Sequence, residues 1–171
     1  MTLSQIFFFY FAGAMTILSV VVVTRKNPVH SILWMLVLFI HIAALYLFLN
    51  AEFLAAIQII VYAGAILVLF LFVIMMLNLK KEETVKKYQD QWPLAAGISA
   101  VLAIFCILIV RKITVLAPLG KYSIDAVKSE GHIMSIGKVL YTQYLLPFEI
   151  ASIVLLVAIV GAVVLAKKRI E

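Results

Sequence analysis

The chain has 171 residues, of which 66% are hydrophobic and 13% are charged, and its formal net charge at pH 7 is +6. Soluble domains are about half apolar and about a quarter charged, so this composition excludes a soluble enzyme. The basic residues lie in short clusters between apolar runs, which indicates a membrane topology signal rather than a nucleic-acid surface. The single cysteine, Cys106, excludes an internal disulfide. We therefore expect an all-α polytopic membrane protein that forms one membrane domain over residues 1–171. It is expected to contact the lipid bilayer and to bind no nucleic acid.

Five apolar runs are long enough to cross a bilayer, which takes about 20 helical residues. They predict transmembrane helices at residues 3–23, 28–49, 52–78, 92–110 and 145–166. Nine of the 14 Lys and Arg follow the first, third and fifth runs. The positive-inside rule then predicts an external N-terminus and a cytoplasmic C-terminus. Residues 113–140 are expected to form a long external loop with room for a short interfacial helix.

Polar side chains are sparse within the predicted spans, and three of them are candidates for a role in function. His41 lies near the middle of the second span, Gln58 in the third and Glu149 in the fifth, two residues after Pro147. An ionisable residue at membrane depth is by default a functional candidate. His41 can instead be a hydrogen-bonding partner of a neighbouring helix. Glu149 can instead lie near the interface, where the helix dipole favours a carboxylate in the first turn.

The third span is unusual at its centre. It carries no charge from Phe53 to Leu79, yet Tyr62-Ala63-Gly64-Ala65 places a polar aromatic residue and three small residues near its middle. A helix that only had to lie in lipid would need none of them. One interpretation is a locally irregular helix, since glycine tolerates unusual backbone geometry. The other is a close helix–helix contact at Gly64, with Tyr62 as a buried hydrogen-bonding residue.

No nucleophile–base pair, paired carboxylates or metal-ligand spacing occurs in the sequence, so we expect no catalytic, cofactor-binding or metal site in this chain. Residues 59–70 and 72–78 closely resemble the third helix of subunit J of bacterial NADH–quinone oxidoreductase. This is respiratory complex I, whose mitochondrial counterpart is NADH dehydrogenase subunit six. The segments 27–30, Asn-Pro-Val-His, and 146–152, Leu-Pro-Phe-Glu-Ile-Ala-Ser, also resemble that family. The resemblance covers essentially the whole chain.

The resemblance implies a membrane-arm subunit of a proton-pumping enzyme in the bacterial inner (plasma) membrane. Such a subunit takes part in the oxidoreductase without an active site of its own. NADH, FMN, the iron–sulfur clusters and quinone are then expected in partner subunits. The expected neighbours are the quinone-chamber H-type subunit and the A-type and K-type subunits.

The resemblance also implies a conformational role for the third helix, which in the family can carry a π-bulge and rotate to open a water-filled proton path. The residues of this switch are Val61, Tyr62, Ala63, Gly64 and Ala65, and the gate-lining candidates are Leu67, Leu69 and Phe70. Some relatives carry a carboxylate where this chain has Gln58. A proton passing beside this helix would then have to use water or residues of partner subunits.

Two other functions are compatible with the sequence. One is a purely structural or assembly subunit of the same complex or of a related ferredoxin-fed complex. The other is an independent membrane channel. The sequence leaves open the electron donor, the quinone and the α or π state of the third helix. It also leaves open whether Glu149 or His41 takes part in proton transfer.

Overall fold

The computed structural model describes residues 2–77, 92–112 and 123–167. Seven helices account for nearly all of these residues, and no strand occurs among them. They are α1 Leu3–Thr24, α2 Pro28–Phe48, α3 Glu52–Met76, α4 Trp92–Lys112, α5 Ile124–Glu130, α6 His132–Thr142 and α7 Leu145–Ala166. Helices α1, α2, α3, α4 and α7 are long and apolar enough to cross a membrane. The prediction of an all-α protein with five spans is confirmed.

The predicted helix bounds agree with the structure to within two residues. Helix α3 ends at Met76 because Leu77 has an extended backbone, with ψ of 120°, and Asn78 lies outside the described residues. Pro28 is the first residue of α2, where its missing N–H costs no hydrogen bond. The side chain of Asn27 caps this helix by accepting a hydrogen bond from the Val29 N–H at 2.9 Å.

The tight turn between α2 and α3 is formed by a Schellman motif. Asn50 has a φ of 56°, in the left-handed region that asparagine tolerates better than most residues. Its N–H donates to the Leu47 carbonyl, and the Ala51 N–H donates to the Tyr46 carbonyl at 2.8 Å. The chain therefore reverses within three residues, and α3 returns antiparallel to α2.

The segment expected to be a loop is more helical than predicted. Residues 113–122 lie outside the described residues, but residues 123–140 contain all of α5 and most of α6. The Ser123 hydroxyl caps α5 by accepting from the Ala126 N–H, and Gly131, with φ of 89°, separates the two helices. The expectation allowed one short helix here, whereas the structure has two, because a local cap and one glycine suffice to specify them. The external position of this segment stays a prediction.

Helices α1, α2 and α3 pack together, with α2 in contact with both of the others. The buried apolar residues of this unit are Phe11, Leu18, Ile32, Ala43, Ala55, Ala63 and Leu67. By contrast, the spans of α4 and α7 bury none of their apolar windows within the described chain. Apolar side chains are stable in lipid without a partner helix, so these two spans can lie in a membrane without packing against α1, α2 or α3. Helix α6 lies against the first turns of α3.

Candidate functional site

The centre of α3 is a π-helix rather than an α-helix. This π-segment comprises nine residues, Gln58–Ile66, between α-helical turns at Glu52–Ile57 and Leu67–Met76. At its end the Leu67 N–H donates to the Tyr62 carbonyl, five residues earlier instead of four. π-Helical turns are rare and frequently occur at functional sites. Val61, Tyr62, Ala63, Gly64 and Ala65, the predicted switch residues, all lie inside the π-segment.

The buried positions of α3 show why one turn is wider. Ala55, Gln58, Ala63 and Leu67 are 5–6% exposed and are spaced by three, five and four residues. Three α-helical turns take about 11 residues, whereas these positions span 12. One extra residue therefore lies between Gln58 and Ala63. The wide turn accommodates it and keeps both ends of α3 packed on α2.

Gly64 lies where the wide turn brings a carbonyl close. A Cβ atom built on Gly64 would be 3.2 Å from the Ile59 carbonyl oxygen, and no atom of another described helix lies within 4 Å of that Cβ position. The requirement for glycine therefore arises inside α3. The alternative of a close helix–helix contact at Gly64 finds no support in the described part of the chain.

Gln58 and Tyr62 line a cleft of about 450 Å³ between α2 and α3. The other lining residues of this Gln58 cleft are Phe39, Ile42, Tyr46, Leu54 and Ile57. Gln58 is 6% exposed, and its side chain makes no hydrogen bond to another described residue. Tyr62 is 47% exposed and packs edge-on against Phe39, with ring centroids 6.1 Å apart. The Gln58 amide borders the cleft and has hydrogen-bond donors and an acceptor without a partner among the described residues, so the cleft favours water or a polar group there.

Sequence reasoning missed the α2 side of this cleft. Phe39, Ile42 and Tyr46 follow each other at three and four residues, the helical spacing that places side chains on one face. That spacing was visible in the sequence. However, the two other faces of α2 are equally apolar, so the pattern alone does not indicate which one faces the π-segment.

His41 connects α2 to α1. Its Nδ1 is 2.8 Å from the Val37 carbonyl oxygen, which can only accept a hydrogen bond, so Nδ1 carries the proton. The Nε2 atom is then the acceptor for the Tyr10 hydroxyl at 3.5 Å. His41 is thus used as a hydrogen-bonding residue between helices, and it is not among the residues that line the Gln58 cleft.

Glu149 lies away from both the Gln58 cleft and the His41–Tyr10 contact. It is exposed, five residues into α7, which is roughly 6 Å along the helix from its first residue. Pro147 occupies the first turn of α7, where proline is tolerated. Among the described residues, α7 packs on none of the helices α1, α2 and α3. The structure therefore does not bring Glu149 together with Gln58 or His41.

The three gate-lining candidates differ in their exposure. Leu67 is 5% exposed and packs inside the chain, whereas Leu69 and Phe70 are 63% and 59% exposed. Leu69 and Phe70 point away from the α1–α3 unit, so a gate made by them needs a partner subunit. Their role stays a prediction. Within the described ranges no group of three or more His, Cys, Asp and Glu side chains is arranged to hold a metal.

Comparison with known protein families identifies relatives of this chain. Residues 18–165 match the model of the family described as NADH-ubiquinone/plastoquinone oxidoreductase chain 6. The chain belongs to this family. NADH-quinone oxidoreductase subunit J of Rickettsia felis is 38% identical over 167 residues, covering 97% of this chain and 82% of the relative. NAD(P)H-quinone oxidoreductase chain 6 of Leptolyngbya boryana is 42% identical over 167 residues, covering 96% and 81%.

A red-alga relative named NADH-ubiquinone oxidoreductase chain 6 has a comparable identity. NADH-ubiquinone oxidoreductase chain 6 of Chondrus crispus is 36% identical over 178 aligned positions, covering 94% of this chain and 82% of the relative. The resemblance seen in the sequence is therefore confirmed. The family model includes all of α2, the π-segment and nearly all of α7. Family membership and the five apolar spans together make the chain a multi-pass membrane protein related to subunits of NADH-quinone oxidoreductase.

Proposed function

We propose that this chain is a membrane-arm subunit of a proton-pumping NADH–quinone oxidoreductase and that α3 helps to couple quinone reduction to proton translocation. The observation that carries the proposal is the π-segment, whose extra residue gives α3 a second available register. The chain itself supplies no redox group. NADH, FMN, iron–sulfur clusters and quinone belong to partner subunits, and H-type, A-type and K-type subunits are its neighbours in the bacterial inner membrane, with the N-terminus outside.

The second register follows from helix geometry. When the π-segment rewinds as an α-helix while Glu52–Ile57 stays fixed, every later residue turns by about 100° and moves about 1.5 Å along the axis. Leu67 then leaves the buried face of α3. The Gly64–Ile59 contact exists only in the wide turn. Side-chain volume at position 64 therefore shifts the balance toward the α register.

The Gln58 cleft gives this movement a consequence for protons. Tyr62 lines the cleft from inside the π-segment, so rewinding turns its side chain relative to Phe39 and the α2 wall of the cleft. Gln58 has an amide that does not titrate, so it holds water without taking up the proton. The cleft is hydrated in one register and dry in the other, and the proton moves on water and on groups of partner subunits.

A purely structural role is the second candidate, and a specific observation favours it. Helices α4 and α7 expose apolar side chains along their whole length, which leaves both spans free to pack against other subunits as well as to face lipid. An independent channel is distinguished from both by purification in mild detergent. The complex subunit purifies with flavin and iron–sulfur absorbance, whereas a channel purifies alone or as a homo-oligomer.

The test of the proposed function is Gly64→Val in the intact complex, with Gly161→Val as the matched control. Apart from the nearby backbone of its own helix, no atom of the described residues lies within 4 Å of a Cβ built on Gly161, so the control adds the same volume in a membrane helix without the carbonyl contact of Gly64. We expect Gly64→Val to lower the number of protons pumped per electron while NADH oxidation by artificial acceptors is retained. Normal pumping in an assembled Gly64→Val complex refutes the switch, and a loss of assembled complex alone supports the structural role.

A further inference from the structure

The turn between α1 and α2 is held in one shape by two hydrogen bonds. The Asn27 side chain accepts from the Val29 N–H, which fixes the start of α2. The Ser31 hydroxyl donates to the Val22 carbonyl, which ties the first turn of α2 to the last turns of α1. Because the two spans enter the membrane here, the turn lies at the boundary between lipid and water.

Two cations are presented on this turn without an acidic partner. Arg25 and Lys26 are both exposed, and no carboxylate among the described residues forms an ion pair with either of them. His30 is exposed one turn further along α2. The turn is therefore a compact positive site whose charge nothing in the described part of the chain neutralises.

Arg25 is also oriented. Its guanidinium carbon lies over the Trp34 ring, 5.5 Å from the ring centroid. A guanidinium over the face of an aromatic ring is attracted to it, and its N–H donors can bind a phosphate with two hydrogen bonds. Tryptophan is typical of the membrane interface, so this contact holds the Arg25 donors at the depth of lipid headgroups.

Exposed apolar side chains flank the two cations along α1 and α2. Val23 is 80% exposed, Leu33 is 48% exposed and Trp34 is 38% exposed. A soluble phosphate ion would contact only the cations. An amphiphile with a phosphate and acyl chains matches both the charged turn and the apolar surface next to it.

We propose that Arg25, Lys26 and Trp34 form a binding site for the phosphate headgroup of an anionic phospholipid. Arg25 binds the phosphate with two hydrogen bonds, Lys26 adds the second charge, and the acyl chains lie along Val23 and Leu33. Each basic residue near an anionic membrane surface raises binding by roughly fivefold. The site is independent of the α3 register and requires only that α1 and α2 span the membrane.

The experiment uses the intact complex in phosphatidylcholine nanodiscs that contain a trace of a photoreactive lipid with a diazirine in its acyl chain. The lipid is either phosphatidylglycerol or phosphatidylcholine, and crosslinked peptides are identified by mass spectrometry. We expect phosphatidylglycerol to label residues 20–34 at least fivefold more than phosphatidylcholine does. We expect excess inorganic phosphate to leave this labelling unchanged.

The variant that removes the site is Arg25→Gln combined with Lys26→Gln, and it should reduce labelling to the phosphatidylcholine level. Lys167→Gln is the matched control. It removes an exposed lysine at the same membrane end, where α7 finishes, and should leave labelling of residues 20–34 unchanged. If the double variant does not assemble, the comparison of the two lipids on the unaltered complex still decides.

Three outcomes overturn the proposal. Equal labelling by both lipids means that the cations act only as a topology signal. Absence of labelling by either lipid means that a partner subunit covers the turn. Competition by inorganic phosphate means that the turn binds a free anion rather than a lipid.

Discussion

Deletion of Gly64 separates the fold of α3 from its proposed movement. The buried residues Ala55 and Leu67 are 12 positions apart, one more than the roughly 11 residues of three α-helical turns. Removing one residue from the π-segment leaves 11, so an unbroken α-helix then places Leu67 on the same buried face. We expect the variant to fold and assemble, with α3 fixed in a single register.

The expected size of the pumping loss follows from the same residue spacing. In the unaltered chain, rewinding the π-segment turns residues 67–76 by about 100°, whereas in the deletion variant those residues already satisfy both the α-helical bonds and the packing on α2. No second register of comparable energy remains. Proton pumping per electron should therefore fall to near zero, while electron transfer from NADH to artificial acceptors stays near its original rate.

The matched control is deletion of Val68, which is 56% exposed and lies just after the π-segment. This change keeps the wide turn but rotates the following residues by about 100°, and it takes the half-buried Leu71 and Ile74 off the inner face. We expect less assembled complex, because helices in a membrane associate through close packing.

The assay measures assembled complex by native electrophoresis, pumping by a pH-sensitive dye in vesicles, and the backbone of α3 by a density map. A Gly64 deletion variant that pumps normally with a continuous α-helical α3 would refute the switch. A Gly64 deletion variant that assembles no better than the Val68 deletion variant would refute the register count.

Three further outcomes test the rest of the structure. Tyr10→Phe removes only a long hydrogen bond to His41. It should lower the free energy of unfolding by less than about 1 kcal/mol and leave proton pumping intact. A loss of pumping would instead place His41 on the proton path. Asn50→Ala should cost about 1 kcal/mol because Asn50 has positive φ, whereas Asn50→Gly should not, as measured by thermal inactivation of the complex. The hydrogen bond and charge of Lys138 lower the pKa of Glu130. At a pH above the ordinary glutamate pKa, the contact between Glu130 and Lys138 therefore stabilises the α5–α6 pair. This stabilisation is lost as the pH falls through the lowered pKa of Glu130. Amide exchange of residues 124–142, corrected for its intrinsic pH dependence, should show this loss, and Lys138→Met should remove most of it, leaving the smaller contribution of the Ser135 hydroxyl.

The sequence determined the number and position of the membrane spans. Uninterrupted apolar runs of this length leave backbone groups no partner except the helix itself, so the bounds of α1, α2, α3, α4 and α7 can be read directly. The turns could also be predicted from the sequence, since Asn27 is a helix-capping residue, Pro28 suits the first position of a helix, and Asn50 tolerates a positive φ. Family membership was visible as well, because the residues around Tyr62 and Gly64 form an unusual pattern in a membrane helix.

Only the tertiary structure decided how wide α3 is at its centre and what its polar residues face. A π-turn and an α-turn can hold the same side chains, and the choice depends on keeping Ala55 and Leu67 packed on α2 at the same time. That constraint joins residues on different helices, so no local pattern contains it. For the same reason the sequence grouped Gln58, His41 and Glu149 as equivalent polar candidates. Packing assigned Gln58 to the cleft, His41 to α1 and Glu149 to the exposed start of a separate span.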